Sequence, residues 1–204
     1  MNSRTLFLAT GNAHKVAELR HSLELAFGEV ELKCLRDFPT LAEPVEDGDT
    51  LEANALIKAR ALHFHTGGLC VADDTGLLVE ALAGAPGVYS ARWAGEGCSY
   101  ADNVAKLCRE ISPVPKDRRQ ARFETVLAAI EPDGRETLLR GVCHGMMLDQ
   151  PRGVEGFGYD PVFLVPELGR TFAELSLDEK NAISHRGKAV RHLISWLRQL
   201  STWR

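Results

Sequence analysis

The chain has 204 residues, of which 45% are hydrophobic and 25% charged, a composition that supplies a large core. With 24 Lys+Arg against 28 Asp+Glu, its formal net charge is -4, which argues against a nucleic-acid binder, because such affinity rests on a basic surface. Affinity for phosphate must then come from a local site or a metal.

Thr5-Leu6-Phe7-Leu8-Ala9 is a short apolar run suited to a buried strand, and Thr10-Gly11-Asn12 breaks it. Val16, Leu19, Leu23 and Phe27 then recur at helical spacing. A strand, turn and helix in that order aim free backbone N–H groups and the positive dipole end at the turn, where an anion is favoured. Thr10 and Asn12 add neutral donors and Lys15 a charge. The turn is not a P-loop, and it lacks the three-glycine dinucleotide fingerprint. An ordinary capped helix with a solvated lysine accounts for the same residues.

An acidic loop, Glu43-Pro44-Val45-Glu46-Asp47-Gly48-Asp49, precedes a helix expected from Thr50 to about His63. Asp49 reads as its N-cap, with Glu52 three residues on. Glu46 has no such role, and a solvated loop acid is the plain alternative for it. Leu69-Cys70-Val71-Ala72 is a strand running into Asp73-Asp74-Thr75-Gly76, so one aspartate faces a pocket and the other a helix or solvent. Gly84-Ala85-Pro86-Gly87 is a turn; beyond it Ser90 and Arg92 are candidate contacts, while Tyr89 and Trp93 read as packed. A helix starts at Ser99, with Asp102 at its third position, and Ser112-Pro113-Val114-Pro115 stops it.

Residues 121–130 and 136–147 are strand-like, joined by the turn Pro132-Asp133-Gly134. Gly156-Phe157-Gly158-Tyr159-Asp160-Pro161 then precedes Lys180 and Ser184-His185-Arg186-Gly187. This pairing suggests a pocket for a flat, hydrogen-bonding ring such as a nucleobase. Phe157 and Tyr159 offer ring faces, while Asp160, Lys180, His185 and Arg186 offer donors and acceptors. A capping or packed histidine is the alternative for His185. Ser176 with Glu179 resembles a capping box, and a last helix over 188–200 is apolar at Val190, Leu193, Ile194 and Leu197. Strands and helices alternate early and a hairpin sits late, so the expected fold is α/β with a mixed sheet, in one domain over 1–204. Five cysteines without a close pair indicate neither a zinc knuckle nor a disulfide framework and fit reduced thiols in the cytoplasm. No stretch reads as a signal peptide or a membrane span.

Ala9-Thr10-Gly11-Asn12 with Lys15, Ala72 to Leu77, Gly84 to Arg92, Gly156 to Pro161, and Ala182 to Gly187 together resemble the signature blocks of the inosine triphosphate pyrophosphatases, the dITP/XTP pyrophosphatases of bacteria. The resemblance implies an elongated mixed sheet flanked by helices, two lobes with a substrate cleft between them, and a homodimer. It implies Mg²⁺-dependent hydrolysis of non-standard purine nucleoside triphosphates (dITP, ITP, XTP) to the monophosphate and pyrophosphate, with no nucleic-acid or membrane partner. Thr10, Gly11, Asn12, Ala13, His14 and Lys15 would hold the phosphates. Glu46 and Asp74 would bind the metal, with Glu43 or Asp47 as alternatives to Glu46, and Asp74 would accept the proton. Thr75 would touch substrate; Phe157, Gly158, Tyr159, Asp160, Lys180, His185 and Arg186 would form the base pocket. Tyr159 stands where some relatives carry tryptophan. Two other functions are a non-catalytic nucleotide sensor and a pyrophosphatase for other altered or standard nucleotides. The acids Glu46, Asp73 and Asp74 speak against the sensor, since a pure binder gains little from negative charge beside phosphates.

Overall fold

The structure, a computed structural model, describes residues 4–42 and 44–203. In chain order the elements are β1 (Thr5–Leu8), α1 (Ala13–Phe27), β2 (Glu31–Cys34), α2 (Leu51–Thr66), β3 (Cys70–Val79), β4 (Pro86–Gly87), α3 (Tyr100–Ile111), β5 (Gln120–Ile130), β6 (Glu136–Met147), β7 (Phe163–Val165), β8 (Arg170–Thr171), α4 (Leu177–Ile183) and α5 (His185–Leu197). This is an α/β fold. Its sheet is mixed, in the hydrogen-bonded order β2-β1-β3-β5-β6-β7-β8 with β4 on β3. The β1 pairings to β2 and β3 are parallel, whereas β3–β4, β6–β7 and β7–β8 are antiparallel.

Local chemistry sets the element ends. The Asn12 side chain accepts from the backbone N–H groups of His14 and Lys15, capping α1. Ser99 with Asp102, and Ser176 with Glu179, form the expected capping boxes of α3 and α4. The hairpin also forms as expected, its turn closed by Glu131 N–H to Arg135 C=O and Gly134 N–H to Glu131 C=O.

Three expectations need correction. Thr50, not Asp49, caps α2 by accepting from Ala53 N–H, and Glu52 instead pairs with Arg140. β3 does not end at Ala72 but carries Asp73, Asp74 and Thr75 within it, because the Thr-Gly-Leu-Leu-Val continuation keeps a buried, strand-compatible pattern. The last helix begins at His185 and ends at Leu197, since Ser184 Oγ accepts from Gly187 N–H and so starts it a turn early.

The chain divides into two compact units, one of residues 1–74, 125–141 and 188–204, the other of 75–124 and 142–187. In the first, Leu6 and Leu8 of β1 and Val71 of β3 pack with Leu19 and Leu23 of α1 and Leu193 and Leu197 of α5. Trp203 meets Phe27 edge-on at 5.3 Å there. The second unit closes on Leu77, Leu107, Ile111, Phe123, Phe163 and Phe172. Burial of each such side chain stabilises by roughly 1.5–3 kcal/mol before entropy is counted.

Candidate active site

In the first unit, the β1–α1 turn lines a cavity of about 190 Å³ together with Glu46 and Lys58. Thr10, Gly11, Asn12 and Lys15 all reach it, and Leu35, Leu41, Pro44 and Leu62 supply an apolar wall. Ala13 and His14 open α1 with exposed side chains. Thr10 Oγ1 accepts from Asn12 N–H at 3.2 Å, and Arg36 Nε donates to Gly11 C=O at 3.1 Å, which fixes the turn from both sides.

The aspartates alternate across β3 as a strand requires. Asp73 takes an ion pair from Lys15 of α1 at 2.8 Å. Asp74 Oδ1 instead accepts from Lys58 of α2 at 3.0 Å, and the same ammonium donates to Glu46 Oε2 at 3.0 Å. Asp74 Oδ2 is buried without a hydrogen-bond partner. An unsatisfied carboxylate oxygen of that kind suits a cation. Burial raises the Asp74 carboxyl above its ordinary range, Lys58 pulling it back only in part. For Lys58, burial is the largest single influence and lowers it, but Asp74, Asp73 and Glu46 together outweigh that and the net direction is upward. Both directions follow from a cluster of three carboxylates and two ammonium groups.

Glu46 reaches this cluster because its loop is pinned: Gly48 N–H donates to Asn54 Oδ1 at 2.8 Å. A Cβ at Gly48 would lie 2.7 Å from Ala53 Cβ, so the loop can approach α2 this closely only through glycine. Asp47 is exposed, and Glu43 lies outside the described residues. Among the described residues no three His, Cys, Asp or Glu side chains gather into a metal cage, so a cation here would rest on the Glu46–Asp74 pair.

In the second unit, Asp160 Oδ2 accepts from Phe157 N–H at 2.8 Å and from Lys180 Nζ at 2.7 Å. Lys180 Nζ stands 4.9 Å from the Phe157 ring centroid and Arg186 Cζ 5.4 Å from it, so two cations flank one ring. Arg186 Nη2 also donates to Thr75 Oγ1 at 3.2 Å. Gly156 has φ +75°, and a Cβ there would fall 2.1 Å from Asp160 Oδ2; the loop closes over the carboxylate only because no side chain is present. Gly158 also has positive φ.

Two residues differ from the expected ring-and-edge pocket. Tyr159 is a core residue: its hydroxyl donates to Ser90 C=O at 2.9 Å, and burial pushes its phenol upward, so it offers a ligand no ring face. His185 stacks on Phe123 at 4.5 Å and 14° and is buried, the packed-histidine alternative. Ser90 is likewise structural, with its hydroxyl donating to Gly87 C=O and accepting from Leu77 N–H. Tyr89 is exposed rather than packed, with Arg92 over its ring at 5.2 Å.

Sequence reasoning missed Lys58 and Asn54. Leu51, Ala55, Ala59 and Leu62 mark the buried stripe of α2. Asn54 and Lys58 fall on that stripe at helical spacing, and a lysine among buried positions is the signal that could have found the ion cluster.

A mixed α/β sheet whose helix start and nearby acids can take an anion and a cation side by side defines a class of phosphate-handling protein. The chain belongs to the Ham1 family, whose pattern it matches over residues 6–196. It is 47% identical over 192 residues to a dITP/XTP pyrophosphatase of Thermoanaerobacter sp. (strain X514), covering 94% of this chain and 96% of that protein. Among solved structures, a HAM1 protein from Coxiella burnetii superimposes with a TM-score of 0.87 at 38% identity, over 96% of this chain and 99% of that one. A nucleoside-triphosphatase / dITP/XTP pyrophosphatase from Mycobacterium abscessus gives 0.75 at 45% identity, over 93% and 98%.

Proposed function

We propose that this protein hydrolyses non-standard purine nucleoside triphosphates (dITP, ITP, XTP) to the monophosphate and pyrophosphate, with Mg²⁺ as cofactor. The observation that carries the reading is a cavity of the first unit lined by an anion-favouring helix start, Glu46 and Lys58, whose ammonium also holds Asp74.

Thr10 to Lys15 bind the phosphates at the positive end of α1, where phosphate oxygens exchange with Asn12 Oδ1 for the helix-start N–H groups and Lys15 adds its charge. Glu46 and Asp74 would hold Mg²⁺, which typically takes one or two protein carboxylates. When bound, it would supply charge that screens the phosphate oxygens and the leaving pyrophosphate. Asp74 orients a water and takes its proton as the water oxygen attacks the α-phosphorus and the bond to pyrophosphate breaks. A carboxyl raised by burial is a better proton acceptor than a solvated one.

Phe157, Lys180 and Arg186 take the base. A 6-oxo purine presents an acceptor where adenine presents an amino donor, so cationic donors favour the former and oppose the latter.

Pyrophosphate release from ITP, dITP, XTP, GTP, ATP and dUTP at equal concentrations, with and without Mg²⁺, tests the proposal. The expected result is Mg²⁺-dependent release with the 6-oxo substrates ahead of ATP by on the order of a hundredfold in kcat/KM. Binding without turnover would instead support a sensor. A homodimer is part of the same proposal, resting on the sequence resemblance alone, and sedimentation tests it. No helix among the described residues is long and apolar enough to cross a membrane.

A further inference from the structure

Lys58 takes no part in the proton transfer proposed above, yet it is held by two acids at once. Its ammonium touches Glu46 Oε2 and Asp74 Oδ1 at 3.0 Å each, with 11% of the side chain exposed. We propose that Lys58 is a built-in counter-cation for the Glu46–Asp74 pair, occupying their shared field before metal arrives and weakening the binding of free divalent ions. The inference rests on Glu46 and Asp74 being the metal ligands.

Three observations carry it. Lys58 is anchored on α2 beside the buried Ala59, so its ammonium reaches the acids from a fixed scaffold and not from a mobile loop. Asp74 divides its oxygens: Oδ1 serves Lys58, while Oδ2 is buried with no hydrogen-bond partner. A divalent ion can therefore approach Oδ2, but it must also draw on Glu46, which Lys58 already holds, and like charges a few ångströms apart in a partly buried site repel. Asp73 cannot relieve this, because Lys15 neutralises it at 2.8 Å. The metal is then favoured chiefly when phosphate oxygens arrive with it to complete its shell. Free metal is discouraged, and metal carried by a nucleotide is not.

The test is Mn²⁺ titration of nucleotide-free protein by calorimetry, with electron paramagnetic resonance of free Mn²⁺ as a second readout. Lys58→Met and Lys58→Gln, the latter retaining a hydrogen-bonding head, are compared with the unaltered chain and with Glu46→Gln in each background. The expected result is Mn²⁺ binding at least tenfold tighter in both Lys58 variants, with the gain removed by Glu46→Gln. A metal-free Lys58→Met protein too unstable to titrate is covered by Lys58→Gln, and by its thermal midpoint rising more steeply with Mn²⁺ than that of the unaltered chain. Equal or weaker affinity in both variants, with Glu46→Gln still weakening the unaltered chain, overturns the counter-cation role alone. Affinity indifferent to Glu46→Gln in every background overturns the ligand assignment and the inference with it.

Discussion

Asp160 and Lys180 meet at 2.7 Å with only 5% of either side chain exposed. A carboxylate so placed is the keystone of its loop, since the same Oδ2 also takes the Phe157 N–H. Removing one partner leaves the other charge buried and unpaired, at about 3–5 kcal/mol. Asp160→Ala and Lys180→Met are each expected to lose about that much in urea unfolding. The double variant Asp160→Ala/Lys180→Met should lose clearly less than the sum; additive losses would count against the pair as a unit.

Asp74→Asn keeps the shape of the side chain and removes its basicity. Turnover of ITP is expected to fall by two or more orders of magnitude while nucleotide binding, followed by calorimetry, persists. Turnover within about threefold of the unaltered chain would remove Asp74 from the chemistry.

Arg186→Ala should narrow the kcat/KM ratio of ITP to ATP by about tenfold or more, because its guanidinium flanks the base-end ring. An unchanged ratio assigns Arg186 to structure through its bond to Thr75.

Glu179 gives a pH signature. Its hydrogen bonds, first with the Arg170 side chain and then with Ser176 N–H, lower it to about 2. A carboxyl whose folded value is depressed adds stability that is complete above its unfolded value and vanishes as pH falls through the folded one. The Tm difference between the unaltered chain and Glu179→Gln should be full at neutral pH and shrink between its ordinary 4.5 and about 2. A difference that is constant across that window would assign the effect to shape.

Much of this was legible in the sequence for local reasons. The β5–β6 hairpin announces itself through strand patterning around Pro132-Asp133-Gly134, and Asn12 advertises the start of α1, because both depend on residues a few positions apart. What escaped depends on distant pairings. The partners of Lys58 lie 12 and 16 residues away, and an isolated lysine in a helix reads as solvated. Tyr159 looked like a ring face because nothing nearby shows that its hydroxyl reaches Ser90, 69 residues back. Asp160 looked like an edge contact for the same reason: its partner Lys180 is 20 residues on. Thr50 displaced Asp49 by one position, within the usual margin at helix ends.

Asn12 Oδ1 engages the amides of His14 and Lys15 at 3.0 and 3.4 Å. The turn is thus already shaped by an internal acceptor standing where an incoming oxygen is wanted. The backbone of this segment is ordered by folding and need not be ordered again at each encounter, so an arriving anion has only to displace one side-chain oxygen from donors that already point at it.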